Sequence, residues 1–242
     1  MRPALNSQTY VAKGNAPWFN SNWFDIDKVI SMNRSDSEAT VVCDGNVIDM
    51  AYMFYECHKL TTIDLSNFDT SKVKNMKEMF GRCSSLTSLD LSNFNTSNVK
   101  DMGYMFEDCF NLVKLDLSKF DTSNVDNMKY MFFCCASLTS LDLSNFNTSK
   151  VTNMNEMFEG CNKLTTLDIS NFDTSKVKDM QDMFGNCSSL TTIKGIIDMK
   201  SCKYYMDMFD RCPRLTNVKI KNPPVDFERK SRLSKSQYNI VS

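Results

Sequence analysis

Between residues 47 and 215 the apolar positions recur at a fixed interval. Val47, Val73, Val99, Val125, Val151 and Val177 stand 26 residues apart, and Cys57, Cys83, Cys109, Cys135, Cys161 and Cys187 keep step with them. A period of this length marks a repeat architecture, in which each unit buries its apolar face only by stacking on its neighbours. Within one unit, Val73, Met76, Met79, Phe80 and Cys83 are three and four residues apart, which predicts a short helix with one apolar face. The triplets upstream, Asp69-Thr70-Ser71 and Asn95-Thr96-Ser97, offer side chains that cap the first N–H groups of such a helix. After the cysteine the pattern changes. Leu86, Leu89 and Leu91 follow L-x-x-L-x-L, and Leu89-Asp90-Leu91 alternates as a strand does. The expected coil is one short helix, one short strand and a turn closed by Phe94, with strands of successive coils added in parallel. Seven such coils at a strand spacing of ~4.8 Å make a stack roughly 30 Å long.

The motif L-x-x-L-x-L followed by a turn resembles the leucine-rich repeat. It departs from that repeat at one position: where many carry an inward asparagine, this chain has Phe68, Phe94, Phe120, Phe146 and Phe172. The longer combination LTSLDLSNFNTSNV-x-x-M-x-x-M-F-x-x-C resembles the repeat of BspA-like bacterial surface proteins, over about Val47 to Leu215. The fold expected on both grounds is an α/β repeat solenoid, a leucine-rich-repeat-like right-handed stack with one short parallel strand and one short helix per coil. The resemblance further implies a cell-surface or secreted protein that binds a host matrix or cell-surface protein as an adhesin, without chemistry. The ending RLSKSQYNIVS resembles the segment that closes such arrays, while the export signal and surface anchor usual in the family are not in this chain.

Both ends of the chain lose the repeat. Residues 1–46 read as an N-terminal segment and cap, with Trp23, Phe24, Ile26, Val29 and Ile30 at helix-like spacing over 17–46. Residues 47–218 hold about seven repeats, and 219–242 read as a C-terminal cap. The last coil is atypical, since Cys187 and Cys212 are 25 apart and Lys194 stands where an aspartate is expected. Terminal coils of a stack need such differences to avoid exposing apolar faces and open strand edges.

Composition narrows the function classes. A hydrophobic content of 42% over 242 residues suffices for a continuous core, and a formal net charge of −1 argues against a broad nucleic-acid surface. No apolar run reaches the length of a membrane span, and the first residues lack the apolar core of a secretory signal. Seven glycines form neither a dinucleotide fingerprint nor a phosphate loop, and the single histidine, His58, has no partner at catalytic or zinc-ligand spacing. An enzyme is therefore not expected, and no cofactor is. The ladder cysteines share the inward position of Val, Met and Leu and read as reduced, buried thiols; Cys43, Cys134 and Cys202 lie off the ladder and are the more reactive candidates. The methionine columns starting at Met50 and Met53 read as core.

One exposed constellation remains. Asp64, Asp90, Asp116, Asp142 and Asp168 alternate with inward leucines, so they form an acidic column on the strand face. At roughly 5 Å apart, adjacent charges repel by about 0.8 kcal/mol at bulk-water dielectric. Hydroxyls on either side, at 62, 88, 140 and 166 before the column and at 66, 92, 118, 144 and 170 after it, are the expected donors that offset this repulsion. The column suits a basic segment of a protein partner and, less well, calcium, because the loop geometry of repeat calcium sites is missing. Lys114 and Lys119 interrupt the polar pattern and Phe110 adds an exposed apolar group, which places the expected contact patch between Phe106 and Phe133. The alternatives to this interaction module are a structural spacer array and an intracellular leucine-rich-repeat scaffold.

Overall fold

The computed structural model describes residues 7–14, 29–34, 38–44, 47–65 and 68–242. Its strands are β1 (Ser7–Gly14), β2 (Val29–Arg34), β3 (Glu38–Asp44), β4 (Leu60–Asp64), β5 (Ser88–Leu89), β6 (Lys114–Leu115), β7 (Thr166–Asp168), β8 (Thr192–Lys194), β9 (Ile197–Asp198), β10 (Val218–Lys221) and β11 (Tyr238–Val241), with one helix, α1 (Phe227–Ser231). From Val47 onward the chain is a repeat stack of short parallel strands with aromatic side chains about 26 residues apart, and the described strands close no barrel.

The segment expected to be a helix is a pair of turns. Met76, Glu78, Phe80 and Arg82 donate their N–H groups to Asp101, Gly103, Met105 and Glu107 of the next coil at 2.6–3.0 Å. The alternating residues Met79, Gly81 and Cys83 donate three residues back, at 3.1–3.2 Å. A helix would send all of these donors to the fourth residue back within the same coil. The alternation is possible because Glu78 (φ 54) and Arg82 (φ 60) adopt the left-handed region, as do Tyr104 and Asp108, and Tyr130 and Cys134, in the coils that follow. Each such residue costs about 1–2 kcal/mol, which the inter-coil hydrogen bonds offset. The spacing of three and four that suggested a helix thus reports which side chains face inward. Asp and Asn at 69 and 95 accept the N–H of Ser71 (2.9 Å) and Ser97 (3.1 Å), so the expected caps close turns instead.

The turns register the stack as well as the strands do. Parallel bridges run from Asp49 through Asn75, Asp101, Asn127, Asn153 and Asp179 to Tyr204. Inside, Phe54, Phe80, Phe106, Phe132, Phe158, Phe184 and Phe209 stack at 5.4–5.9 Å with ring planes within 11° of parallel. The methionine columns and ladder cysteines are buried in the same core. Each ladder thiol from Cys83 to Cys212 also donates to the carbonyl of a phenylalanine in the preceding coil, as Cys109 does to Phe80 at 3.2 Å. A third ladder is polar and buried. Thr70, Thr96, Thr122, Thr148 and Thr174 each donate a hydroxyl to a carbonyl of the next coil at 2.9–3.1 Å, and accept that residue's N–H at 2.7–2.8 Å.

At the leading end, β1, β2 and β3 form an antiparallel sheet in the order β2-β3-β1, and β1 continues it onto β4 with Ala12 opposite Ile63. This pairing occupies the edge of the first coil's strand. Val29 and Ile30 therefore lie on a strand and not on a helix, Val29 paired with Cys43 of β3 and Ile30 at the register shift that follows; Trp23, Phe24 and Ile26 lie outside the described residues. At the trailing end, β10 pairs in parallel with β9 on one side and β11 on the other, and buried Phe227 of α1 packs edge-on against Tyr238 at 5.4 Å. Gly195 (φ 105) permits the close coil contact before β9, since a side chain there would meet the Ile169 carbonyl at 2.7 Å. No helix among the described residues is long and apolar enough to cross a membrane.

Candidate interaction face

The strand face carries the expected column. Asp64, Asp90, Asp116, Asp142 and Asp168 are all exposed; Asp90, Asp116 and Asp142 lie between buried leucines, Asp168 between buried Leu167 and Ile169, and Asp64 between half-buried Ile63 and buried Leu65. The N–H groups of Ser92, Ser118, Ser144 and Ser170 donate to the aspartate two residues earlier at 2.9–3.0 Å. The backbone donor and the hydroxyl of Ser92 hold the Asp90 carboxyl below its ordinary pKa, although Asp116 and Asp64 push the other way. Asp142 is held down in the same manner by Ser144 against Asp116 and Asp168. Of the two hydroxyl columns expected to help, only the following one does so: among the described residues, Ser88, Ser140 and Thr166 donate to no aspartate. Ser66 lies outside the described residues.

Lys114 sits on β6 opposite Ser88, exposed in the row that precedes the column. Lys119 lies beyond it, where its charge lowers the Asp116 pKa after the two Ser118 hydrogen bonds. It also replaces a clamp. Asn93, Asn145 and Asn171 at the equivalent positions donate to carbonyls of the preceding coil, Asn93 to Leu65 at 2.8 Å and Asn171 to Leu143 at 2.9 Å. Phe110 (44% exposed) is in the turn before β6, in the same coil as exposed Val113 (41%). The column ends where Lys194 reaches Asp168 at 3.8 Å. Shallow grooves of about 320 and 250 Å³ run beside it, the first between Asp64, Asp90 and Asn93, the second between Asp142, Asp168 and Asn171.

A second polar face lies on the outer side of the turns, and here the sequence reading fell short. Tyr104 and Tyr130 stack at 4.6 Å, and Lys77 lies 5.1 and 5.7 Å from the rings of Tyr52 and Tyr104. Arg82 bridges Glu56 at 3.0 Å and Asp108 at 3.6 Å. Farther along, Glu156, Glu159 and Asp182 bring carboxylate oxygens within 4.8 Å of one another, and the Tyr130 hydroxyl donates to Glu156. Among the described residues this is the one acidic group close enough to share an ion, and a stack of equivalent positions explains it without one. Glu159, and Glu107 on the same face, behave oppositely to the strand column. Burial first, then Glu156, pushes Glu159 up to about 7, and burial with Asp108 pushes Glu107 up to about 7. The signal available in the sequence was that Glu156 and Asp182 are 26 apart and so occupy one column; the helix prediction hid which neighbours the turn would give them.

The off-ladder thiols Cys134 and Cys202 are only partly buried, unlike the ladder cysteines, and burial pushes both up to about 12; the side chain of Cys43 lies outside the described residues.

The family described as "Mycoplasma protein of unknown function, DUF285" matches residues 43–138 and again 110–222, which together span well over half of the chain. The chain belongs to this family. The two DUF285 matches overlap within the stack, as a repeated unit allows, and they begin and end near its first and last coils. No curated protein and no solved structure matches the chain.

Proposed function

We propose that this chain is a non-catalytic protein-interaction module, a right-handed leucine-rich-type solenoid of the BspA-like kind that binds a basic segment of a protein partner on its strand face. The observation that carries the reading is the column Asp90, Asp116, Asp142 and Asp168: exposed, regularly repeated, and each accepting the N–H of the serine two residues on. Keeping adjacent carboxylates charged gives a partner's lysines and arginines a field of one sign on a rigid sheet, which favours rapid and specific encounter. Lys114, Lys119, Val113 and Phe110 break the repetition in the third coil and supply the local difference on which selectivity rests. The proposed setting is the cell surface or the secreted space, with a host matrix or cell-surface protein as partner, and it rests on the resemblance of the repeat to BspA-like proteins. The segments before residue 47 and after 218 are proposed as caps, which the edge pairing of β1 on β4 supports.

The test is saturable binding of the full chain to immobilised matrix proteins, compared with a variant carrying Asp90→Asn, Asp116→Asn and Asp142→Asn. The expected result is binding that weakens with salt and is lost in the variant while its circular dichroism is unchanged. Equal binding by both proteins overturns the assignment to the strand face, and no binding to any basic or matrix protein favours a spacer.

A further inference from the structure

The strand face is not of one sign along its length. Two shallow grooves, of about 320 and 250 Å³, lie against the aspartate column, the first holding Asp64 and Asp90 and the second Asp142 and Asp168. Midway between them is the third coil, where Lys114 precedes Asp116 on its strand and Lys119 stands at the position that Asn93 and Asn171 hold in the grooves. Both lysines are exposed, and neither forms an ion pair among the described residues. The sixth coil changes the sign again, since Lys194 lies in register with Asp168. Their contact at 3.8 Å joins side chains that are 60 and 54% exposed, so a cation from a partner can replace it at little cost. Along the stack the face therefore runs from an acidic groove to a basic coil, then to a second acidic groove and a second basic coil.

The spacing of this alternation matches an extended chain. Three coils at ~4.8 Å set the grooves roughly 14 Å apart, and four residues of a strand laid along the column cover the same distance at ~3.4 Å each. Residues four apart in an extended segment share a face with the residue midway between them. We infer that the partner segment is an extended peptide of the pattern basic-x-acidic-x-basic, lying along the column and crossing the strands. Its two cations enter the grooves, and its carboxylate lies over the third coil between Lys114 and Lys119. Asp116 shares that coil, where the two lysines outnumber it. The pattern reads the same in both directions, so it holds whichever way the segment runs. A uniformly basic segment sets its middle cation against the two lysines, and that repulsion is what discriminates against it. The inference rests on the strand-face reading above and adds the charge pattern that the partner must carry.

Short labelled peptides with glycine flanks, titrated with the full chain in fluorescence anisotropy at low salt, test this. The peptides are Arg-Ser-Glu-Ser-Arg, the same residues reordered as Arg-Arg-Glu-Ser-Ser, and the all-basic Arg-Ser-Arg-Ser-Arg. The first is expected to bind more than about fivefold tighter than either of the others, although the third carries the larger positive charge. The variant carrying Lys114→Glu and Lys119→Glu should reverse the order of the first and third, with unchanged circular dichroism. If that variant does not fold, Lys114→Ser with Lys119→Asn, the residues of neighbouring coils, replaces it and should abolish the preference for the first. Tighter binding of the all-basic or the reordered peptide to the wild-type chain overturns the pattern, and so does a preference that the lysine variant leaves unchanged. Should that binding be lost with Asp90→Asn, Asp116→Asn and Asp142→Asn together, the strand-face reading survives; should it persist there, that reading falls as well. No binding of any peptide overturns the pattern and leaves the strand face to be judged by the matrix-protein assay.

Discussion

At the residue scale, the side chains that join one coil to the next are the small polar ones inside the turns. Thr122 is buried and fills both hydrogen-bonding functions of Asn147, donating to its carbonyl at 3.0 Å and accepting its N–H at 2.8 Å. The volume-matched change Thr122→Val leaves both backbone groups buried without a partner, and the expected loss is about 2–4 kcal/mol. Thr122→Ser keeps the hydroxyl and gives up one methyl, at a cost of about 1 kcal/mol. Urea unfolding of the two variants should show this order at an unchanged denaturant slope. The ladder cysteines act alike on a smaller scale, as small apolar groups whose S–H also reaches a carbonyl.

At the scale of the element, the finding that matters is the turn pair that stands where a helix was expected. Apolar spacing alone cannot separate the two, because both place Met76, Met79, Phe80 and Cys83 on one side. Backbone conformation can. Glu78 has φ 54, so Glu78→Gly should be more stable than Glu78→Val by about 1 kcal/mol or more, since only glycine enters that region without penalty. In a helix interior the order is reversed, because glycine is there the worse residue by a few tenths of a kcal/mol. Thermal melts of the two variants decide between the conformations. The same geometry explains the acids of the outer turn face: a turn repeated in register aligns Glu156 with Asp182 of the next coil and half-buries both, and this burial raises the Asp182 pKa from its ordinary value.

At the scale of the whole molecule, stability is the sum of nearly equal coils and of the interfaces between them, bounded by the two ends. Hydrogen bonds, stacked phenylalanines and thiol contacts all join residues of adjacent coils at fixed separations in sequence. Removing one whole coil, residues 112–137, therefore keeps every surviving contact in register. The shortened chain is expected to melt cooperatively at a lower temperature, whereas a deletion two residues shorter should misalign the core of every later coil and fail to fold. Circular dichroism during heating distinguishes the outcomes. The molecule at this scale carries two faces with different electrostatics: a strand face of exposed aspartates that accept serine N–H groups, and a turn face whose acids are half-buried.

The sequence by itself determined the period, the inward set of side chains, the parallel addition of strands and the exposed aspartate column. Those follow from alternation and repetition, which are local and legible in one unit such as Val73 to Asn98. It did not determine the backbone of the turn segment. Whether Glu78 donates its N–H within its own coil or to Gly103 depends on a carbonyl of the next coil, which exists only once the coils have stacked. For the same reason the pairing of β1 with β4, the paired hydrogen bonds of Thr122 and the crowding of Glu159 against Glu156 were decided by tertiary structure. The periodicity specifies which atoms are buried; the partners of the buried polar atoms are set by the neighbouring coil.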